Sequence, residues 1–540
     1  MLFNSQKFIF AFLPIALIVF YGLGRPSSVW ALRWLILASL FFYAWWRPLN
    51  VLLIAPSILI NFALARALQR LSDNEGKGYL SRAVLLLGIA FNVAFLGFFK
   101  YGDFIRGSIN DVFGTNLILT HLILPLGISF ITFQKIAFLI DVHAGRAKSF
   151  TLQDYSLFVL FFPQLIAGPI VHYREMMPQF HSAPCRFDAE NVSVGLTLFC
   201  FGLFKKVVLA DHIAPLVTPI YEQAVTGVHF SLLVSWMAAL GFTLQVYFDF
   251  SGYTDMALGL ARFFGIRLPP NFNSPLKASS IIDFWLRWHM TLTRFLTAYI
   301  YNPLVISLTR RRAARGLPGV VGRKTTVGAF VYLLGFPILL TMFMSGLWHG
   351  AGYLFIIWGL VHGILLTINH AWRLIVPRLW PDNASYNRWM TPIGFVLTFL
   401  SWTVTMVLFR SPTISAAAIL LKGMIGQNGV ALPSFIYDHL GGLAGWLHQL
   451  GVASETMDVK GLIKWIAYLM FIALACPNSL QILAAYEPAL GVRPSKGEKG
   501  FIATVIEWRP SLPWAIGVSA IAVMGIYFIG GQSEFLYWQF

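Results

Sequence analysis

Two histidines, each directly preceded by a tryptophan, are the residues of this 540-residue chain best suited to chemistry. His349 lies in the sequence GLWHG (346–350) at the end of an apolar run, and His289 follows Trp288 in a second aromatic stretch. Imidazole is costly to bury in lipid-like surroundings, and it can act as a general base near neutral pH. The two sites therefore predict acid–base chemistry conducted inside a membrane.

Each histidine also has a less specific interpretation. A lone histidine within a membrane is often a hydrogen-bonded structural residue, and His289 suits the membrane interface equally well. His362 and His370 follow His349 on the next helix, where packing or interfacial roles are favoured. The sequence contains no Gly-x-Ser-x-Gly elbow, phosphate-binding glycine loop or metal triad, and its three cysteines show neither zinc-ligand spacing nor a disulfide framework. What remains is histidine-centred acid–base chemistry, with carboxylates available to orient an imidazole.

The composition places these residues in a membrane protein. Hydrophobic residues make up 57% of the chain, charged residues only 11%, and the mean hydropathy is +0.70. Such a chain is too apolar for a water-soluble globule, and its 16% aromatic content fits membrane cores and interfaces. We therefore predict an all-α, polytopic integral membrane protein.

A net charge of +17 would suggest nucleic-acid binding in a soluble protein. Here lysine and arginine lie mainly in loops between apolar runs, as the positive-inside rule requires, and no nucleic-acid partner is expected. The densest basic cluster consists of Arg310, Arg311, Arg312, Arg315, Arg323 and Lys324. We place this cluster on the cytoplasmic side, where a topology signal with anionic-lipid contacts is the favoured interpretation.

A series of apolar runs is long enough to cross the hydrocarbon layer as helices, which takes about 20 residues each. They cover residues 8–24, 29–46, 49–67, 82–99, 118–140, 153–171, 194–221, 228–248, 328–347, 351–371, 391–409, 462–483 and 513–530. We expect about 11 to 14 membrane-embedded helices, and we expect run 8–24 to be a retained first helix rather than a cleaved signal peptide. No soluble domain is evident. The sequence also shows no internal repeat and no inverted half-and-half symmetry, which argues mildly against a secondary transporter.

Residues 249–327 are more polar than the rest of the chain yet remain rich in aromatic residues. The sequence NFNSP (271–275), preceded by Pro269 and Pro270, cannot form an uninterrupted spanning helix. Irregular backbone at membrane depth requires burial in protein or a water-lined cavity. The region therefore predicts short re-entrant or interfacial helices that form the wall of a cavity.

Local patterns within this region suggest how its candidate residues are arranged. A helix is expected over residues 281–289, capped by Ser279 or Ser280, and it would place Trp285, Trp288 and His289 on one face.

Two carboxylates open the same region. Asp249 and Asp255 follow an apolar helix, where they could cap a helix or pair with an arginine.

Ordered sequence blocks across the chain resemble those of the membrane-bound O-acyltransferases, in particular the bacterial branch that modifies polysaccharides. The blocks are YAWW (43–46), LPLGISF (124–130), FPQLIAGP (162–169), FKKV (204–207), YFDFSGYTD (247–255), NFN (271–273), FWLRWH (284–289), LWHG (347–350), PNS (477–479) and EFLYWQF (534–540). The resemblance is strong over residues 1–370 and looser in the C-terminal third.

The resemblance implies that His349 is the essential histidine and His289 its partner. It also implies a ring of helices around a thin central wall, with a funnel from each side that meets the other near His349. An acyl thioester would enter from the cytoplasm and the acceptor from the opposite face, with no metal and no bound cofactor. The matching blocks place the expected substrate-binding residues at Trp348, Trp288, Arg287, Trp285, Asp249, Ser251, Tyr253, Asp255, Asn271 and Asn273.

The chain departs from the family pattern after His289. Where relatives commonly have Trp-Leu-Arg-Asp-Tyr, this chain has FLTAY (295–299), so contacts made by the Arg-Asp pair cannot be carried over. The basic stretch 310–324 stands where many relatives have a shorter glycine-containing turn, and it could also attract an anionic donor such as coenzyme A.

The length of the chain bears on its substrate. Residues 1–390 are expected to form the acyltransferase core, and residues 391–540 add C-terminal helices to the same membrane domain. Within the family, a chain of this length favours O-acetylation of an exopolysaccharide with acetyl-CoA as donor over D-alanyl transfer from a carrier protein. The resemblance further implies a multi-pass protein of the bacterial inner membrane whose partners are a periplasmic or membrane-tethered acetyltransferase and the polysaccharide synthesis machinery. A transporter or a non-catalytic scaffold are the alternatives outside the enzymes.

Overall fold

The computed structural model describes residues 1–72, 78–182, 185–493, 506–530 and Leu536. Within these residues the protein is built from helices, with one pair of short strands. Seven of the described helices are long and apolar enough to cross a membrane: Leu49–Leu71, Gly78–Phe113, Ala189–Val225, Leu232–Phe263, Val327–His349, Tyr353–Leu379 and Asn383–Arg410. Shorter apolar helices cover Phe8–Gly24, Ser28–Ala44, Ile414–Met424 and Leu512–Tyr527. The prediction of an all-α, polytopic membrane protein is confirmed.

The first third of the chain forms nine helices in the described residues. They are α1 (Leu13–Gly24), α2 (Ser28–Ala44), α3 (Leu49–Ser72), α4 (Gly78–Leu96), α5 (Gly102–Phe113), α6 (Ile128–His143), α7 (Leu152–Leu160), α8 (Phe162–Leu165) and α9 (Tyr173–Ser182). A π-helical turn, Phe8–Phe12, precedes α1, and another, Gly97–Tyr101, joins α4 to α5.

The middle of the chain carries the longest described helix, α12 (Leu232–Phe263), and several short ones. Its α-helices are α10 (Ala189–Phe204), α11 (Asp211–Val225), α12 (Leu232–Phe263), α13 (Ile281–Arg287), α14 (Met290–Leu296), α15 (Asn302–Ala313), α16 (Val327–Phe330), α17 (Phe336–His349) and α18 (Tyr353–Leu379). Between them lie π-helical turns at Lys205–Ala210, Thr297–Tyr301 and Val331–Gly335, and 3₁₀ turns at Pro275–Lys277 and Gly322–Lys324.

The C-terminal part contains the two strands. Its elements are α19 (Asn383–Arg410), α20 (Ile414–Met424), β1 (Val430–Pro433), α21 (Ser434–Tyr437), α22 (Gly442–Gln449), β2 (Val452–Glu455), α23 (Lys460–Ala475), α24 (Ser479–Ile482), a 3₁₀ turn at Ala484–Tyr486 and α25 (Leu512–Tyr527). The strands pair in parallel, with Val430 opposite Val452. The predicted domain boundary at residue 390 falls inside α19, and the division of the chain into two parts stays a prediction.

Three apolar runs are not continuous helices, so the prediction of one spanning helix for each run is wrong for 118–140, 153–171 and 462–483. Residues 114–127 are irregular, and α6 begins only after Gly127, which adopts the left-handed conformation (φ 66°). The second run breaks at Phe161, directly before α8, whose second residue is Pro163. The third run breaks at Pro477. Proline and positive-φ glycine interrupt helical hydrogen bonding, and hydropathy alone does not reveal these breaks.

Close contacts between glycines bring α10 against α12. A Cβ on Gly202 would lie 2.4 Å from the carbonyl oxygen of Gly252, and one on Gly259 would lie 2.4 Å from that of Gly195. Small residues at such crossings allow the backbones of membrane helices to touch, which is a main source of helix association in lipid. This packing fixes α12 as the buried central helix of the protein.

The polar region 249–327 is only partly as predicted. Helix α12 does not end near residue 248 but continues to Phe263, so Asp249 and Asp255 lie within it rather than after it. The short helices α13, α14 and α15 then follow, as predicted. Ser280 caps α13 by accepting a hydrogen bond from the backbone N–H of Asp283 at 3.1 Å.

Candidate active site

His349 is the last residue of α17 and lies inside a group of aromatic rings. The next residue, Gly350, is extended (φ −161°, ψ 154°), so the helix stops at the histidine. The imidazole is 4% exposed, and its ring centroid lies 4.8 Å from Trp348, 5.1 Å from Trp358 and 5.2 Å from Phe409. These rings exclude water from most of the imidazole surface.

The last turn of α17 is held against α18 by glycines. A Cβ on Gly346 would lie 2.2 Å from the carbonyl oxygen of Phe355, and a Cβ on Gly359 would lie 2.3 Å from that of Met342. Because no side chain fits there, the two backbones pack directly on each other. This close packing at Gly346 positions His349 one turn later.

His289 lies outside any helix, which corrects the prediction that it shares a helical face with Trp285 and Trp288. Helix α13 ends at Arg287, Trp288 is extended (φ −100°, ψ 130°), and His289 adopts the left-handed conformation (φ 42°, ψ 51°). A residue other than glycine rarely adopts this conformation, and such strain is concentrated at functional sites. In this conformation the side chain of His289 is completely buried, at 0% exposed.

The two histidines face each other across the aromatic group. Their ring centroids are 6.4 Å apart, with Trp348 beside both: its ring lies 5.7 Å from that of His289. On its other side His289 meets the edge of Phe250, at 4.8 Å. Residues 60 positions apart are thus brought into one buried site.

Asn271 fixes the protonation pattern of His289. Asn271 Oδ1 accepts hydrogen bonds from the backbone N–H (3.3 Å) and the hydroxyl (2.5 Å) of Thr291, which identifies this atom as the amide oxygen. His289 Nδ1 lies 3.3 Å from the same oxygen. Since an oxygen can only accept, Nδ1 carries the proton and Nε2 is the basic nitrogen.

Burial also determines the charge of His289, which lies between two membrane-spanning helices. Loss of solvation lowers the pKa of His289 to about 3, because an imidazolium ion is disfavoured where water is excluded. The ring is therefore neutral at physiological pH.

Two cavities are lined by these residues or their chain neighbours. One, called here the His349 cavity, has a volume of about 250 Å³ and is lined by Trp46, Lys100, Ile123, Leu124, Pro125, Leu126, Gly127, Ile128, Ser129, Phe130, Ile166, Ala167, Trp348 and His349. The other, called the Trp285 cavity, has about 920 Å³ and is lined by Pro269, Pro270, Asn273, Trp285, Leu286, Met290, Thr291, Thr293, Arg294, Thr297, Ala298, Asn302, Leu480, Gln481, Ala484, Leu490, Gly491, Val492 and Arg493. His349 itself lines the first cavity, and Met290 and Thr291, which directly follow His289, line the second.

Several of the predicted substrate-binding residues belong to this site. Trp348 and Asn271 contact the histidines as described, and Trp285 and Asn273 line the Trp285 cavity. Trp288 packs against the ring of Trp402 at 4.7 Å.

Arg287 is directed elsewhere. Its Nε is ion-paired with Asp283 at 2.8 Å.

The other four predicted residues, Asp249, Ser251, Tyr253 and Asp255, are buried along α12. The two carboxylates form ion pairs with lysines of the π-helical turn Lys205–Ala210, between α10 and α11, which corrects the expectation of a helix cap or an arginine partner. These pairs are Asp249 with Lys206 at 2.7 Å and Asp255 with Lys205 at 2.6 Å. Tyr253 stacks on Phe3, with ring centroids 4.9 Å apart. Substrate binding by these four residues stays a prediction.

Sequence reasoning missed other residues of the site. Trp358 and Phe409 surround His349, and Lys100 lines its cavity. Of these three residues only Lys100 stands out in the sequence, because it is a charged residue directly after the apolar run 82–99.

The block PNS (477–479) contacts two of the predicted substrate-binding residues. In the structure Ser479 donates a hydrogen bond to Asp255 at 2.6 Å, and Asn478 donates to Asn273 at 3.3 Å.

Two parts of the predictions lie partly outside the described residues. Of the block 534–540 only Leu536 is described, and its backbone N–H lies 3.4 Å from Asp249 Oδ2. In the basic cluster the side chain of Arg323 is outside the described part, while Arg310, Arg311, Arg315 and Lys324 are exposed. Among the described residues, no group of three histidine, cysteine, aspartate or glutamate side chains could hold a metal ion.

Comparison with known proteins explains the ordered motifs. Residues 144–316 match the model of the membrane-bound O-acyltransferase (MBOAT) family. The chain is 39% identical over 460 residues to a peptidoglycan O-acetyltransferase of Helicobacter pylori, covering 80% of this chain and 81% of that protein. It is 35% identical over 549 residues to a probable alginate O-acetylase, AlgI, of Azotobacter vinelandii, covering 100% of both.

This chain belongs to the membrane-bound O-acyltransferase family. The resemblance inferred from the motifs is confirmed, and the protein is an O-acyltransferase rather than a transporter or scaffold. A more distant relative is the teichoic acid D-alanyltransferase of Streptococcus thermophilus, 30% identical over 53% of this chain and 68% of that protein. The family thus includes members named for different acyl groups.

Proposed function

We propose that this O-acyltransferase takes an acetyl group from acetyl-CoA on the cytoplasmic side and passes it across the membrane for O-acetylation of an exopolysaccharide. The observation that carries the proposal is the buried pair His289 and His349, 6.4 Å apart, with His349 lining one cavity and the residues after His289 lining a second. A donor and an acceptor that enter from opposite sides could meet at such a pair without opening a path through the membrane.

His349 acts as the general base. It removes the proton of the acceptor hydroxyl as that oxygen attacks the carbonyl carbon of the thioester, and a tetrahedral oxyanion forms. The carbon–sulfur bond then breaks, and the coenzyme A thiolate leaves and takes up the proton. Acyl transfer from a thioester requires no metal ion for these steps.

His289 orients the acceptor hydroxyl or the imidazole of His349. Because its Nδ1–H is directed to Asn271, its Nε2 lone pair lies on the side of the ring away from the asparagine. A neutral imidazole so held can accept a hydrogen bond from the acceptor hydroxyl or from His349, and the strained backbone at residue 289 fixes its direction.

The distribution of charge supports placing the donor in the Trp285 cavity. Arg294 and Arg493 line that cavity. Cationic side chains favour the phosphate groups of coenzyme A and, by the positive-inside rule, the cytoplasmic face. The His349 cavity, whose one lysine and one histidine are its ionisable lining groups, would then admit the acceptor.

Relatives favour acetyl over D-alanyl as the acyl group. The two relatives matched over most of the chain are named O-acetyltransferase and O-acetylase, whereas the D-alanyltransferase matches over about half of it. D-alanyl transfer from a carrier protein is therefore the second candidate. A multi-pass protein of this kind would reside in the bacterial inner membrane and act with a periplasmic or membrane-tethered transferase and the polysaccharide synthesis machinery.

Release of coenzyme A tests the proposal. Purified protein in nanodiscs is supplied with acetyl-CoA and a membrane extract as the source of acceptor, and wild type is compared with His349→Ala and His289→Ala. We expect turnover in wild type, loss of turnover in His349→Ala and a strong reduction in His289→Ala. His370→Ala is the matched control, because this histidine lies on α18 and is only partly buried.

Two results would count against the proposal. Turnover with a D-alanyl carrier protein but none with acetyl-CoA would establish the second candidate. Full turnover of acetyl-CoA in His349→Ala would remove the histidine from the chemistry and require another base.

A further inference from the structure

We propose that Lys100 is a positioning residue for acyl transfer, because it holds the end of α17 and thereby the imidazole of His349. The inference rests on the proposed role of His349 as the base. Lys100 lies 249 residues before His349 in the chain, and no motif of the sequence connects the two. Their proximity is a property of the fold alone.

The last carbonyl groups of a helix have no partner within the helix. At the end of α17 they are bound by two consecutive residues of another segment. The hydroxyl of Tyr101 donates to the carbonyl of Leu347 at 2.6 Å, and Lys100 Nζ donates to the carbonyls of Trp348 and, at 3.3 Å, His349. Three successive carbonyls that end at the candidate base are therefore capped from outside the helix.

The hydrogen-bond donors of Lys100 suit this position. The C-terminal end of a helix carries a partial negative charge, which N–H donors directed at its last carbonyls stabilise. Lys100 Nζ also lies 5.9 Å from the centroid of the Trp348 ring, beside the residue next to His349. The amine thus contacts both the backbone and the ring that flank the base.

The local backbone of Lys100 is unusual. Lys100 and Tyr101 lie on the π-helical turn Gly97–Tyr101 between α4 and α5. Such turns insert one extra residue into a helix, redirect the side chains that follow and occur frequently at functional sites. A lysine near a membrane surface normally extends its amine to the interface. Here the amine is directed inward, to the wall of the His349 cavity.

Two separate sets of contacts therefore hold the last turn of α17. Glycines hold the α18 side of the last turn of α17, and Lys100 with Tyr101 holds its free end. Without the ammonium group, two terminal carbonyls lose their donor and the turn that carries His349 is free to fray. A misplacement of about 1 Å in a catalytic group can reduce a rate roughly 100-fold.

Replacement of the lysine tests the proposal in the full-length protein in nanodiscs. In coenzyme A release from acetyl-CoA, Lys100→Met is expected to lower kcat roughly 10- to 100-fold. The KM for acetyl-CoA stays at the wild-type value, because the donor occupies the other cavity. Lys100→Arg keeps the charge and the N–H donors, so it recovers most of the loss, and Tyr101→Phe produces a smaller loss.

A second readout does not depend on the acyl donor. Diethyl pyrocarbonate modifies accessible imidazoles, and the modification rate of His349 is measured by peptide mass spectrometry. Lys100→Met is expected to change this rate by a factor of several, because the end of α17 moves, while Lys100→Arg leaves it close to wild type.

The matched control is Lys135→Met. Lys135 is also a buried lysine, but its Nζ donates to Ser57 at 2.6 Å on the α3 side of α6. This variant removes the same chemical group and should retain the wild-type kcat per folded molecule and the wild-type rate of His349 modification. Equal losses in both variants would show a general effect of removing a buried lysine and overturn the proposal.

The outcomes separate this inference from the proposed function. If His349→Ala keeps full turnover, the proposed function fails. If His349→Ala is inactive while Lys100→Met matches wild type in kcat and in His349 modification, only the positioning role of Lys100 fails.

Discussion

Asn271 Oδ1 lies 3.3 Å from His289 Nδ1 and joins an irregular loop to the buried histidine of the short-helix region. The same oxygen binds both donors of Thr291, and Thr291 Oγ1 in turn accepts a hydrogen bond from the backbone N–H of Ile170 at 3.0 Å. The tautomer of His289 is thus set by a network that extends to Ile170, the residue directly after the block FPQLIAGP (162–169).

Asn271→Leu tests whether the hydrogen bonds of Asn271 serve catalysis or only the packing of the protein. The substitution keeps a similar volume but leaves buried donors of His289 and Thr291 without an acceptor, each at a cost of about 1–3 kcal/mol. We expect a lower melting temperature and a lower kcat in coenzyme A release, since Nδ1 of His289 is no longer held in its protonated form.

Asn61→Leu provides the control for Asn271→Leu. It breaks another buried amide contact, in which Asn61 Nδ2 donates to Asn92 Oδ1 at 3.2 Å between α3 and α4. This variant should lose stability but keep its kcat per folded molecule. A normal kcat in Asn271→Leu would show that the network is structural only.

Gly346→Ala should move His349 away from its position. The added methyl would lie 2.2 Å from the Phe355 carbonyl and 3.1 Å from Gly359 Cα, and backbone atoms cannot move aside cheaply. Overpacking of this kind costs about 1–3 kcal/mol, and we expect a fall in both melting temperature and kcat. In Gly22→Ala, where nothing lies within 4 Å of the new Cβ, both should stay at wild-type values. A wild-type kcat in Gly346→Ala would contradict the close fit of α17 to α18.

The fold class and the two histidines were predictable because both are encoded locally. Hydropathy is a property of each window of the sequence, and the membrane requires helices wherever an apolar segment crosses it. The motifs around His289 and His349 are likewise contiguous.

What escaped prediction depends on contacts between distant residues. Helix α12 continues past residue 248 because Lys205 and Lys206 neutralise the carboxylates Asp255 and Asp249 within it. The turn that buries His289 follows from the hydrogen bonds of Asn271, and the cap formed by Lys100 follows from the meeting of two helices far apart in the chain. No local pattern contains these pairings.

The ion pair between Asp255 and Lys205 offers a test of whether Asp255 binds substrate or stabilises the fold. Both side chains are less than one-fifth exposed, and Ser479 completes the contact. Breaking a buried pair by removing one partner costs about 3–5 kcal/mol, so Asp255→Asn should lower the melting temperature strongly.

The double variant Asp255→Asn, Lys205→Met removes both charges and should recover much of that stability. If Asp255 has only a structural role, kcat and both KM values recover with it. Stability that returns without activity would instead support the predicted contact of Asp255 with a substrate.

The assignment of donor and acceptor to separate cavities predicts different kinetic effects from narrowing each one. Thr297 and Ala298, which stand where relatives commonly have an Arg-Asp pair, line the Trp285 cavity, and Leu124 lines the His349 cavity. Ala298→Trp should raise the KM for acetyl-CoA at least several-fold, because the indole occupies space proposed for the donor. Leu124→Trp should leave the KM for acetyl-CoA unchanged and raise the KM for the acceptor.

Ala515→Trp serves as the control for both substitutions, because Ala515 is exposed on α25 away from either cavity, and its kinetics should match wild type. The assignment is reversed if Leu124→Trp raises the KM for acetyl-CoA and Ala298→Trp does not. Equal effects of both substitutions on this KM would mean that the donor extends through the wall between the cavities. The histidine pair would then lie along a single channel rather than between two.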